Sequence, residues 1–382
     1  MNAVRRLTRH AEKRFSQAWS RVYRRLVPRS VAPGYSPGPL GIAIQLTYGC
    51  NLRCSFCGQW GKTGIFKSFP TDQLRQSLSL PVLQRVIDEL PLSCGGVYLW
   101  GGEPLVYRDI VPLVRYIKKS GRRCWLTTNG SLLANSARAL VEAGIDHIDV
   151  SLDAGEHTHD QLRGHNGTFQ AAIDGIRVLR EERWVRASGR PAIFVSAILL
   201  PAAAAEFRDL VQQLKTLGVD RVWVAKQQYT SEQQGGHHER VFQQLFQITP
   251  TSWKGFVGWP EIGSAEKIRA LVEELRADPS NDGFLQWETP SWGPTDFLSY
   301  YENPTFITPG DQTCRFPWNS ASILPNGDVS PCPDFPDFVV GNVKETPFSG
   351  IWHSSQFAQF RKSLAARGRF PVCTSCCHLY DG

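Results

Sequence analysis

Six short β-rich runs, kept apart by stretches of helical periodicity, constrain this chain more than any other feature. The runs are residues 42–48, 96–100, 124–128, 147–152, 193–200 and 221–226; helical patterns fall near 80–90, 107–119, 134–143, 168–184 and 204–217. Strands that alternate with helices pair in parallel, because each crossover helix returns the chain to the same end of the sheet. An α/β fold is therefore expected, a partial parallel (β/α)6 barrel over residues 41–229. Such folds carry their chemistry at the C-terminal ends of the strands. The residues just after each run are the ones to inspect.

The remainder divides by composition. Residues 1–30 hold nine Lys or Arg against the single acid Glu12, a charge of +8 that leaves about −1 for everything after it. Val4, Leu7, Ala11, Phe15, Trp19, Val22 and Leu26 recur there at helical spacing, so residues 1–40 read as a basic amphipathic helix and a Pro/Gly linker. That helix either docks on the protein's own body or attaches to an anionic membrane surface or acidic partner. The near-neutral body has no basic footprint for nucleic acid. Residues 230–312 lose the strand–helix rhythm, keep one good helix at 264–277, and read as an intervening or substrate region. Trp253, Trp259, Trp287 and Trp292 in it could wall an apolar pocket or simply fill a core. Residues 313–382 read as a small Cys-rich α+β domain, with a hairpin signal at Pro325-Asn326-Gly327-Asp328 and a helix near 348–365.

The most apolar stretch, Ala192 to Ala205, contains Ser196 and Pro201 and reads as a strand running into a helix. No apolar signal-peptide core opens the sequence, so a cytoplasmic location is expected. In a reducing compartment ten cysteines imply metal or redox chemistry rather than disulfides. Cys94 and Cys124 stand alone and are expected to be buried structural residues.

Cys50, Cys54 and Cys57 are spaced C-x3-C-x2-C directly after the first strand. Three thiolates on one short loop can hold three corners of an iron–sulfur cubane and leave the fourth iron open to a substrate. Structural zinc closes with four ligands, and no fourth Cys or His lies nearby in sequence.

The text CNLRCSFC around Cys50 resembles the radical S-adenosylmethionine superfamily. Further segments follow in that family's order: Gly101-Gly102-Glu103-Pro104 after the second strand, Thr127-Thr128-Asn129-Gly130 after the third, Ser151-Leu152-Asp153 after the fourth, and Arg163 in a Leu-Arg-Gly stretch. The resemblance implies a [4Fe-4S] cluster on Cys50, Cys54 and Cys57. It also implies S-adenosylmethionine contacts from Gly101, Gly102, Glu103, Pro104, Thr128, Asn129, Ser151, Asp153 and Arg163. An Arg suits the cosubstrate carboxylate because it binds one bidentately. Reductive cleavage of the cosubstrate to a 5′-deoxyadenosyl radical, fed by a flavodoxin- or ferredoxin-like donor, is the activity implied.

Cys314, twelve residues, Gly327, four residues and Cys332, followed by Cys373-Thr374-Ser375-Cys376-Cys377, resemble the twitch or short SPASM auxiliary-cluster domain of that family. The ligands implied for a second [4Fe-4S] cluster are Cys314, Cys332, Cys373 and Cys376, with Cys377 a substitute for the fourth; a closed four-thiolate zinc site is the rival. A fully ligated auxiliary cluster suggests an electron acceptor. The expected reaction is thus an oxidation, of dehydrogenation type, at a C–H of a small-molecule or lipid-like intermediate, by a radical S-adenosylmethionine oxidoreductase. The alternatives are maturation of a ribosomally made peptide or protein, and a non-catalytic iron–sulfur or zinc protein. The forty residues before the barrel are too few for the winged-helix domain of many peptide maturases, which leans the expectation toward small molecules. Lys226 and Gln227 should face the barrel mouth as ordinary polar strand-end residues, and no catalytic acid, base or radical quencher is nominated.

Overall fold

The structure, a computed structural model, describes residues 33–258, 264–289, 291–303, 305–307 and 313–379. The basic helix expected over residues 1–30 and Trp259 lie outside the described residues.

Six strands follow the alternation closely: β1 (Gly41–Gln45), β2 (Gly96–Trp100), β3 (Arg123–Thr128), β4 (His147–Ser151), β5 (Ala192–Leu199) and β6 (Arg221–Lys226). They pair in parallel in sequence order. Strand β5 shows why these runs fold as they do. Ile193, Val195, Ala197 and Leu199 are buried, while Ala192, Phe194, Ser196 and Ile198 alternate with them on the inner, half-buried face. The crossover helices are α1 (Leu80–Glu89), α2 (Ile110–Lys119), α3 (Leu133–Glu142), α4 (Glu156–Arg163), α5 (Thr168–Val185) and α6 (Phe207–Leu217). All but α4 bury an apolar stripe, in α1 Leu83, Val86 and Ile87 and in α2 Ile110, Leu113, Val114 and Ile117; α4 instead buries His159, Asp160 and Arg163.

Four further strands extend the sheet. After β6 come α7 (Glu232–Phe246) and α8 (Ser264–Ala277), then β7 (Leu285–Trp287), which adds parallel to β6, and α9 (Pro294–Glu302). At the other edge β8 (Ser322–Ile323) lies parallel to β1, and β9 (Asp328–Ser330) and β10 (Gly341–Asn342) continue it antiparallel. The described residues thus form one sheet in the order β10-β9-β8-β1-β2-β3-β4-β5-β6-β7, open between β10 and β7. The hairpin expected around residues 325–328 joins β8 to β9, with Gly327 at φ +96°, a conformation that favours glycine. The single helix expected near 348–365 is broken in two. Phe348–Trp352 ends, and α10 (Ser355–Arg367) starts afresh because the Ser354 hydroxyl accepts from the Phe357 N–H.

Residues 33–40 lie against the C-terminal module. The Ser36 hydroxyl donates to the Trp318 carbonyl, the Trp352 indole donates to the Ser36 carbonyl, and the Leu40 N–H donates to the Asn319 carbonyl at 2.7 Å. No helix among the described residues is long and apolar enough to cross a membrane.

Strand β1 is flanked on both sides, so its core residues cannot be shaved without loss. Ile44→Ala should cost about 2–5 kcal/mol, read as a lower denaturant midpoint, whereas Leu92→Ala at a fully exposed position should shift it by under about 0.5 kcal/mol.

Candidate active site

The loop after β1 carries the first cysteine set, with Cys54 buried and Cys50 and Cys57 half-buried. The backbone fixes this loop against two neighbours. Ser55 N–H donates to the Leu162 carbonyl at 2.8 Å, Glu103 N–H to the Gly49 carbonyl at 2.9 Å, and Gly102 N–H to the Thr47 carbonyl at 2.9 Å. A side chain at residue 102 would collide with the Gly49 carbonyl, so the close approach of the two strand ends demands glycine there. Donors already point at the sulfurs: Leu52 N–H at Cys50 Sγ and Trp60 N–H at Cys57 Sγ, both at 3.4 Å, and Arg163 Nη1 at Cys54 Sγ at 3.8 Å. Burial pushes the Cys50 thiol up to about 11 and raises Cys54 against the pull of Arg163. Thiolates in such a place need a cationic partner, and the half-open loop of three fits iron better than closed four-ligand zinc.

Glu103 is fully buried and acts as a latch. Its carboxylate accepts from Leu105 N–H (2.9 Å), the Thr128 hydroxyl (2.7 Å) and Asn129 N–H (2.8 Å), tying the ends of β2 and β3 together. Asn129 then donates to Asn51 Oδ1 at 2.9 Å, which carries the connection back to the cysteine loop. One cavity of about 1040 Å³ brings together Cys50, Cys54, Cys57, Gly101, Gly102, Glu103, Thr128, Asn129, Ser151 and Arg163.

Pro104 and Asp153 do not line that cavity. Pro104 is buried at the start of a short turn of helix, Pro104–Val106. Asp153 is fully buried, and its Oδ2 accepts from Arg163 Nε at 3.0 Å and Nη2 at 2.5 Å, while Oδ1 accepts from Ile198 N–H at 3.1 Å. These contacts hold Arg163 toward the cysteine loop. Neither sequence spacing nor composition could show them, since the burial of Asp153 depends on β5 beside it. His159 belongs to the same knot: its Nδ1 accepts from Asp153 N–H at 3.3 Å, and burial, then the Arg163 charge, lowers it to about 4. At neutral pH it is an acceptor and not an ion-pair partner.

The second cysteine set surrounds a separate small cavity. Cys314, Cys332, Cys373 and Cys376 all line it, among Phe335, Phe370, Val372 and Leu379; Cys377 does not. Burial raises the thiols of Cys332, Cys373 (to about 12) and Cys314. No three of these four sulfurs belong to a group whose ligand atoms all lie within 4.8 Å; among the described residues only Asp334, Cys377 and His378 do. Tetrahedral zinc thiolates with Zn–S near 2.3 Å would sit about 3.8 Å apart. No three of the four sulfurs stand at that mutual separation.

The barrel grips this set through its C-x2-C loop. Lys226 Nζ donates to the Ser375 carbonyl at 2.8 Å and to Glu288 Oε2 at 3.3 Å, the Ser375 hydroxyl donates to the Tyr229 carbonyl at 2.5 Å, and Gln234 Nε2 donates to the Thr374 hydroxyl at 2.9 Å. Lys226 is thus a buried tether and not an ordinary strand-end residue. Gln234 was missed in the sequence, although Ser231 and Gln234 carry the capping-box spacing that starts α7.

The radical SAM superfamily model matches residues 44–201, and the model of an iron–sulfur cluster-binding domain, SPASM, matches residues 314–377. The chain belongs to the radical SAM superfamily. As a radical SAM protein with a SPASM domain, it binds a [4Fe-4S] cluster and S-adenosylmethionine through the first and auxiliary iron–sulfur through the second. It is 26% identical over 348 residues to an AdoMet-dependent heme synthase of Methanosarcina barkeri, covering 88% of each chain. It is 30% identical over 201 residues to the PqqA peptide cyclase of Methylocella silvestris, covering 52% of this chain and 50% of that one. The fold is similar to that of Streptococcus suis SuiB bound to S-adenosylmethionine, with TM-score 0.60 and 16% identity over 85% of this chain and 68% of that one.

The buried His159 makes an acid-labile knot. The unfolded ring takes up a proton near 6.5 and the folded one only near 4, so stability is complete above 6.5 and falls as pH drops through that window. In the cluster-free chain His159→Gln should flatten this slope, by a few kcal/mol at most, in urea titrations at a series of pH values.

Proposed function

We propose that this radical SAM enzyme oxidatively modifies a C–H site on a peptide or protein substrate. When bound, its cofactors supply a carbon-centred radical at the first cysteine set and one-electron redox chemistry at the second. Cys50, Cys54 and Cys57 would hold one cluster, and Cys314, Cys332, Cys373 and Cys376 the other. Gly101, Gly102, Glu103, Thr128, Asn129, Ser151 and Arg163 would shape the cosubstrate site, with Asp153 orienting Arg163.

The observation that carries the substrate reading is the polarity of the cavity wall. Gln45, Trp100 and Gln228 line the cavity, and the donor atoms Gln45 Nε2, Trp100 Nε1 and Gln228 Nε2 are buried with no hydrogen-bond partner among the described residues. Gln45 and Trp100 are direct neighbours across β1 and β2. Buried donors without partners cost free energy unless a ligand supplies acceptors, and peptide carbonyls are such acceptors. The lipid-like reading gains no support from the described tryptophans of residues 230–312. Trp253 and Trp292 are buried core residues, Trp287 packs on Phe297 and under Arg276, and none of the three lines the cavity. The similarity to the PqqA peptide cyclase supports the same reading.

A second reading, a tetrapyrrole-sized small molecule, is supported by the match to AdoMet-dependent heme synthases along nearly the whole chain. In either case a flavodoxin- or ferredoxin-like protein would deliver the electron.

Anaerobically reconstituted enzyme, reductant and S-adenosylmethionine can be offered the peptide fraction or the solvent-extracted small-molecule fraction of source cells. Stimulation of 5′-deoxyadenosine formation by the peptide fraction, abolished when that fraction is first digested with protease, is the expected result. Stimulation by the extract alone would transfer the proposal to the second reading.

A further inference from the structure

The cluster reading leaves the fifth cysteine of the C-terminal module unused. Cys377 does not line the small four-thiol cavity. Instead its sulfur, a carboxylate oxygen of Asp334 and a ring nitrogen of His378 all lie within 4.8 Å of one another. All three residues are half-buried.

Independent contacts hold the three donors in place. Asp334 sits in the turn after β9, where Phe335 N–H donates to Cys332 Sγ at 3.3 Å. Cys377 and His378 follow the loop clamped by Lys226 and Tyr229, and begin a short turn of helix, Cys377–Leu379, in which Leu379 N–H donates to the Cys376 carbonyl at 3.2 Å. The His378 ring rests on Phe316 with centroids 4.6 Å apart.

We propose that Asp334, Cys377 and His378 form a binding site for one zinc-class divalent cation, bordering the auxiliary-cluster cavity that His378 also lines but using no cluster thiol. The donor chemistry selects the ion. Magnesium and calcium take oxygen ligands almost exclusively, whereas a thiolate, an imidazole and a carboxylate together suit zinc, cobalt or ferrous iron. Three protein ligands are the number found at reactive zinc, which keeps a position for water or substrate; structural zinc is closed by four. Of the three donors Asp334 lines the large cavity, beside Pro333 and Asp337, and His378 lines the small one. A cation held by three protein ligands keeps a position for water or for a substrate oxygen, which it would polarise. This goes beyond the substrate reading above and does not depend on it.

The test is zinc retention by the full chain after anaerobic reconstitution with iron and sulfide, measured by equilibrium dialysis against zinc chloride. Iron and sulfide are assayed in the same samples. The parent should retain one more zinc per chain than Cys377→Ser, Asp334→Asn or His378→Gln, with iron and sulfide unchanged in all three. Cobalt chloride in place of zinc should give the visible bands of a tetrahedral site in the parent and lose them in the variants. Asp334→Asn preserves shape and decides the matter if Cys377→Ser does not fold. Equal zinc in parent and variants would overturn the proposal. Loss of one cluster's iron in Cys377→Ser would overturn it too, by making Cys377 a cluster ligand.

Discussion

Parallel pairing between β1 and β8 is the constraint on which the rest of the molecule depends. Ala43 pairs with Ser322 and Ile44 with Ile323, and the Ala43 N–H donates to the Ala321 carbonyl at 3.0 Å. An open parallel sheet would otherwise present the free edge of β1 as a hazard. Here the Cys-rich module covers it and becomes a continuation of the sheet. The strand that launches the first cysteine loop is thereby bonded to the hairpin that carries Cys332. Both cysteine sets are referred to one backbone frame, with Asp334 facing the same cavity as Cys50, Cys54 and Cys57.

Two buried ion pairs do the corresponding work with side chains. Arg163–Asp153 locks the end of α4 against the first cysteine loop, and Lys226–Glu288 locks β6 to the loop carrying Cys373 and Cys376. Such pairs contribute little net stability, because desolvation offsets their attraction, but breaking one leaves an uncompensated buried charge. Their value here is geometric. Each sets the orientation of a cation that also touches a cysteine sulfur or the backbone of a cysteine loop.

Much of this was legible in the sequence wherever a local pattern carries the information. The six barrel strands declared themselves by short apolar runs between helical periods, and the cysteine triplet by its spacing after the first run. Strand β7 did not, because three residues, Leu285–Trp287, are too few to show a period. Helix α7 was hidden by Gly235, Gly236 and a run of Gln and His, weak helix signals overridden by the capping box and by packing of Val241 and Phe242. The roles of Asp153, Lys226 and the tryptophans were beyond reach for another reason. Each depends on what a distant element places beside it, and side chains of the same type serve equally as core, tether or ligand. The resemblance put Cys376 fourth with Cys377 as its substitute, and of the two it is Cys376 that lines the small cavity.

On this reading the two cysteine sets would hold two separate iron–sulfur clusters in one frame. Iron and acid-labile sulfide, measured after anaerobic reconstitution in the parent, in Cys50→Ala/Cys54→Ala/Cys57→Ala and in Cys314→Ala/Cys332→Ala/Cys373→Ala, test it directly. Two clusters are expected in the parent and one in each variant, with 5′-deoxyadenosine formation lost in the first variant. Loss of all iron on removing either set, or zinc in place of iron in the C-terminal module, would contradict it.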